Sequence, residues 1–261
     1  MINAFKLTKN LLNFVLIPLM FVISIGLTIL TDKVLLSFVI ALVFLIIGIL
    51  ALEFLARKKY NKIGSLLTDN CDPEAYRDSL IQVLSKNTKN MEVRIDLSYA
   101  YYHCGEFQQM RSILENIDFR EFKSKRKNLQ TEAFRFQYYD MWFFYFLGIN
   151  DLESAEKTLN DIDKLFMSSD ELLKKLKAGD VSARHLVLES YKGEVPQIEE
   201  KFALIPLPDK IFYKVCHANS LGRYYFRNGM NDKAKECLEF VVQNGNKLYM
   251  VKEAQLALED I

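Results

Sequence analysis

Much of the usual chemistry of enzymes is missing from this 261-residue chain. It contains no G-x-S-x-G, no glycine-rich phosphate loop ending in Lys-Ser or Lys-Thr, and no H-E-x-x-H. Histidine is scarce, with only His103, His185 and His217. His185 and Glu189 stand at i and i+4, but one His and one Glu do not make a metal site, and a surface helix pair is the expected role. His103-Cys104 and Cys216-His217 are adjacent pairs, and neighbours on a helix point about 100° apart, a poor geometry for chelating one ion. Of the four cysteines, Cys71, Cys104, Cys216 and Cys237, no two form a C-x-x-C, and their scatter suits reduced, buried thiols rather than a disulfide framework. Net charge is only +1, so no global field gathers nucleic acid or an acidic substrate. The expectation is a non-enzyme without catalytic residues, cofactor or metal.

Charge itself is absent from two stretches near the start. Leu11 to Leu30 supplies 20 residues broken only by Asn13, Pro18, Ser24 and Thr28, and a second run supplies 19 residues from Val34 before Glu53. A membrane-spanning helix needs about 20 apolar residues, and a charge at mid-bilayer costs about 2.5–3.5 kcal/mol. Two spans are therefore expected, at about 11–30 and 34–55, forming a hairpin over residues 1–56. The first run is too long for a signal-peptide core, and no A-x-A site follows it. Lys6 and Lys9 precede the hairpin, and Arg57, Lys58, Lys59 and Lys62 follow it, while the turn holds only Lys33 beside Asp32. Positive flanks favour the cytoplasmic side, so both termini are expected inside. Ser37, Ala41 and Gly48 share one face of the second span, with Gly26 and Ser24 as the counterpart on the first; a homodimer through that face is the alternative. The abundance of Lys over Arg, with Asn, Ile, Phe and Tyr, suits an AT-rich bacterial genome, which places the hairpin in a bacterial inner membrane.

Beyond the hairpin no strand signal competes with helix. Residues 57–71 read as a juxtamembrane helix and linker, and a helical domain spans 72–261. Asp72 makes a good N-cap, Pro73 suits the first helical position, and Glu74 favours the helix dipole. Apolar residues recur at three and four, with Gly105, Gly148, Gly193 and Gly229 as punctuation.

Self-similarity is clearest in Leu221-Gly222, Tyr225, Gly229, Ala234 and Leu238, whose offsets resemble the tetratricopeptide repeat, a helix pair of about 34 residues. The same frame finds Leu97, Ser98, Tyr101, Gly105, Met110 and Leu114, then Trp142, Phe146, Ala155 and Leu159, then Gly193, Ile198 and Phe202. The second-helix positions 110, 155, 198 and 234 lie 45, 43 and 36 apart, so some helices are longer than the family standard and "tetratricopeptide-like" is the fitting term. Lys247 to Glu259 reads as a closing helix that caps the last pair. The expected fold is all-α, a two-helix transmembrane hairpin followed by an α-solenoid.

The resemblance implies a concave face that binds a peptide or protein. Carried over by register, that face holds Tyr99, Tyr102 and His103 from the first unit, Asp140 and Phe144 from the second, and Asn219, Arg223, Phe226 and Arg227 from the last. Aromatic and Arg side chains dominate binding hot spots, and Arg223 with Arg227, four apart, suits a carboxylate or phosphate. The basic run Arg120, Lys123, Lys125, Arg126 and Lys127 reads first as a solvated face, then as a lipid-headgroup contact, and last as a nucleic-acid patch. The expected function is a membrane-anchored scaffold that recruits a protein partner and no nucleic acid. The alternative is an accessory subunit of a membrane complex, with specificity in the hairpin.

Overall fold

The apolar periodicity resolves into helices throughout. The structure, a computed structural model, describes residues 17–31, 34–86, 90–118, 129–193 and 197–261. Lys6, Lys9, residues 11–16, Asp32, Lys33 and the basic run from Arg120 to Lys127 lie outside the described residues. Among the described residues there are twelve helices and no strand. They separate into two compact units, one holding the chain up to Gly64 with Lys86–Asn90, the other Ser65–Ser85 and Met91–Ile261.

In the first unit, α1 (Ile17–Thr31) and α2 (Val34–Thr68) carry the apolar runs. At about 1.5 Å per residue, the 35 residues of α2 exceed the roughly 30 Å of a hydrocarbon core. Among the described residues one helix is long and apolar enough to cross a membrane, from Leu36 to Thr68, and only 6% of its most apolar window is buried. The described part of α1 is apolar but only 15 residues long, so among the described residues one span meets the length criterion where the sequence predicts two. Ser37 and Ala41 are buried, whereas a Cβ added at Gly26 would meet no atom within 4 Å. α2 runs on unbroken past Arg57, Lys58, Lys59 and Lys62.

The second unit begins at Ser65, in the last turn of α2. Asp72 caps α3 (Pro73–Lys86) by accepting from the Ala75 N–H at 3.0 Å. Antiparallel pairs follow: α4 (Met91–Cys104) with α5 (Phe107–Glu115), α6 (Leu129–Gly148) with α7 (Leu152–Ser168), α8 (Glu171–Lys192) with the short α9 (Ile198–Ala203), and α10 (Ile211–Arg227) with α11 (Asn231–Asn244). This is the packing of a helical-repeat solenoid.

The turns within the pairs repeat one geometry. The first helix of each pair ends near a residue with positive φ: Gly105, Asn150, Gly193 and Gly229, spaced 45, 43 and 36 residues apart. After three of these, the next N–H reaches back to the carbonyl five residues earlier: Glu106 to Tyr101, Asp151 to Phe146 and Met230 to Tyr225, at 2.9, 2.8 and 2.9 Å. That is the long bond of a Schellman turn. Five residues beyond each positive-φ residue stand Met110, Ala155, Ile198 and Ala234, all 0–1% exposed. At Gly222 a Cβ would come within 2.9 Å of the Leu238 side chain, so the last pair approaches closely because residue 222 has no side chain.

The solenoid closes on itself. The inner helices α4, α6, α8 and α10 touch in succession, α10 touches α12 (Tyr249–Glu259), and α12 touches α4. The Lys247 N–H donates to the Cys71 carbonyl at 3.3 Å, and the Asn246 side chain donates to the Asn70 carbonyl at 2.9 Å. The Lys247 ammonium lies 3.1 Å from Asp72 and 3.2 Å from Glu74. The Tyr249 ring packs against Gly105, where any side chain would collide with it. α12 thus caps α11 and also joins the last pair to the first, a closure that the linear repeat pattern does not foretell.

Candidate functional site

The inward-facing side of α4, α6, α8 and α10 lines the main cavity, about 420 Å³ and partly open to solvent. Counting six back from each positive-φ residue gives Tyr99, Phe144, Val187 and Arg223, all of which face these inner spaces. Tyr99 and Tyr102 stand 6.0 and 5.1 Å from the Phe144 ring, centre to centre, and Phe212 closes on Tyr99 at 6.2 Å. The Arg184 guanidinium lies over Phe144 at 4.6 Å, and it donates to both Asp140 oxygens, at 3.2 and 3.3 Å. The segment Ile205–Pro208 forms another stretch of the wall.

Two further spaces adjoin. One of about 10 Å³ shares Tyr102, His103, Tyr191, Asn219 and Met250 with the main cavity. Another of about 210 Å³ is lined by Asn219, Arg223, Phe226, Arg227 and Glu253, among others. Arg223 pairs with Glu253 and sits 4.5 Å over the Tyr191 ring. Burial raises the Glu253 carboxyl, partly offset by the Arg223 charge. Arg227 is exposed and forms no ion pair among the described residues.

The nine residues predicted for the groove fall as follows. Tyr99, Tyr102, His103, Phe144 and Asn219 line the main cavity, while Arg223, Phe226 and Arg227 line the space beyond Asn219. Asp140 lines neither; its carboxylate holds Arg184 in place. His103 is 3% exposed, boxed by Tyr99, Tyr102 and Phe212 at 4.4–4.9 Å, and neither ring nitrogen has a protein hydrogen-bond partner. Burial lowers its pKa to about 3, and the same effect pushes the Cys216 thiol up to about 12 and the Tyr99 and Tyr102 hydroxyls well above their usual range. At neutral pH these walls are uncharged apart from the closed Arg184–Asp140 pair and the Asp180 carboxylate, which the Lys177 ammonium meets at 2.8 Å.

Arg184, Tyr191 and Phe212 escaped the sequence reading. The signal was present in the turn spacing: Tyr191 lies two before Gly193, as His103 lies two before Gly105 and Arg227 two before Gly229. His185, expected opposite Glu189, instead bonds Asp163 at 3.0 Å, and Glu189 lies 4.0 Å from Lys201. Cys71 is buried and the other three thiols are half-buried, all of them free. Among the described residues no three His, Cys, Asp or Glu converge as a metal set. No protein-family model matches the chain, and no curated protein or solved structure is significantly similar to it.

Proposed function

We propose that this chain is a non-enzymatic scaffold tethered to a bacterial inner membrane. Residues 11–30 and 34–55 form its two spans, with both ends in the cytoplasm. Its tetratricopeptide-like unit recruits a partner protein through the face carrying Tyr102, Asn219, Arg223, Phe226 and Arg227. The observation that supports this is the repetition itself: four turns, each through a positive-φ residue, present Tyr99, Phe144, Val187 and Arg223 on the same inner side. Aromatic and Arg side chains on one face are the composition of binding hot spots. Tethering then raises the effective concentration of whatever is recruited, without new contacts.

The closure of the solenoid favours a second reading. An inner face divided into small, partly open spaces offers an extended peptide less room, and an accessory subunit of a membrane complex would carry its specificity in the hairpin. A photo-crosslinker at Phe226 of the full-length protein in native membranes distinguishes the two. The scaffold reading expects a crosslinked partner that disappears with Arg227→Glu and survives exchange of residues 11–55 for an unrelated two-span hairpin. The opposite pattern supports the subunit.

A further inference from the structure

The main cavity has the attributes of a small-molecule site. Its volume of about 420 Å³ falls within the range of roughly 300–1,000 Å³ found for small-molecule pockets. Four aromatic rings, from Tyr99, Tyr102, Phe144 and Phe212, supply stacking surfaces. The Arg184–Asp140 pair is spent on itself and the Asp180 carboxylate meets Lys177, so the wall offers no unpaired cation to an anionic ligand.

One group in that wall has capacity left over. His103 is 3% exposed, and both ring nitrogens lack a protein partner. A neutral imidazole is one donor and one acceptor, and native proteins rarely leave both unused in an apolar box. We propose that the cavity binds a small uncharged aromatic molecule bearing one hydrogen-bonding group, its ring among the aromatic walls and its polar atom on His103. A phenol is the simplest representative. This site does not depend on a protein partner and goes beyond the scaffold reading.

The test uses the full chain in amphipol at neutral pH, with fluorine NMR of three probes: 4-fluorophenol, 4-fluorotoluene and 4-fluorobenzoate. 4-Fluorophenol should bind saturably, 4-fluorobenzoate at least about tenfold more weakly, and the His103 Cε1 resonance should shift while that of His185, outside the cavity, stays put. His103→Phe keeps the aromatic box and removes the nitrogens; it should weaken 4-fluorophenol about five- to tenfold and leave 4-fluorotoluene unchanged. Ala183→Leu, which places bulk in the cavity wall, should abolish binding of all three and serves if His103→Phe fails to fold. Equal binding of the phenol and the toluene, benzoate as tight as phenol, an unmoved His103 resonance, or no saturable binding of any probe would each overturn the proposal.

Discussion

Along α2, Phe38, Phe44, Ile47, Leu50 and Phe54 are about half exposed or more, while in the second unit Phe136, Phe143 and Phe212 are 2% exposed or less. The residue types are the same and their fates are opposite. Fully burying one such side chain gains about 1.5–3 kcal/mol, so a helix that leaves five of them about half exposed forfeits roughly 4–8 kcal/mol, a large part of the stability of a whole domain. Hydrocarbon removes that penalty, and α2 is long enough to meet it. In the second unit the gain comes from neighbouring helices, because Phe136, Phe143, Leu147, Leu159 and Ile162 pack into one cluster across α6 and α7. A mean hydropathy of zero for the whole chain averages over an exposed apolar helix and a packed helical unit and describes neither.

The contrast can be broken at either end. Phe143→Ala should cost the second unit about 3–5 kcal/mol, read by thermal unfolding, whereas Phe44→Ala should leave that unfolding unchanged. Comparable losses from both would make α2 part of an ordinary core. Ile47→Arg should raise the cost of inserting α2 by about 2.5–3.5 kcal/mol and move the protein out of the carbonate-resistant membrane fraction, with no effect on the helical content of the second unit.

A smaller effect separates the two kinds of interior by pH. Unfolded, the His103 imidazole takes a proton near pH 6.5; folded, only near pH 3. Between those values the unfolded state binds more protons, so stability falls as pH falls, by about 2 kcal/mol from pH 7 to 5. His103→Phe should flatten that part of the profile, and denaturant titrations at the two pH values measure it. The smallest change concerns the seam of the ring. Burial opposes ionisation of Asp72, but the Ala75 N–H and the Lys247 ammonium outweigh it and hold the carboxyl below its usual range. Its contribution is complete above the unfolded pKa and is lost as pH falls through the folded one. Asp72→Ala should therefore cost about 1 kcal/mol at neutral pH, roughly 2–4 °C in Tm, with wild type and variant converging below about pH 4.

Local signals were legible in the sequence and long-range ones were not. Gly105, Gly193 and Gly229 marked their turns because positive φ favours glycine. Gly148 misled: it remains within α6, where its missing side chain admits the Phe107 ring, and Asn150 takes the left-handed turn that Asn tolerates. Tyr102 and Arg223 could be placed on the inner side by counting from a turn. Arg184 could not, since what fixes it is Asp140, 44 residues away. The closure through Asn246 and Lys247 was invisible for the same reason: it depends on curvature accumulated over every intervening pair.

That closure sets an order of events during synthesis. The seam joins residues 175 and 176 positions apart, so the edge at Asn70–Asp72 waits for Asn246 and Lys247 before it acquires its partners. α2, by contrast, needs nothing downstream to satisfy its backbone in a bilayer. On the membrane-anchored reading proposed above, the chain is tethered before its second unit is able to shut. Until residue 247 emerges, the rings of Tyr99, Tyr102 and Phe144 belong to an open arc, and the last turn translated before α12 is the latch that makes them an interior.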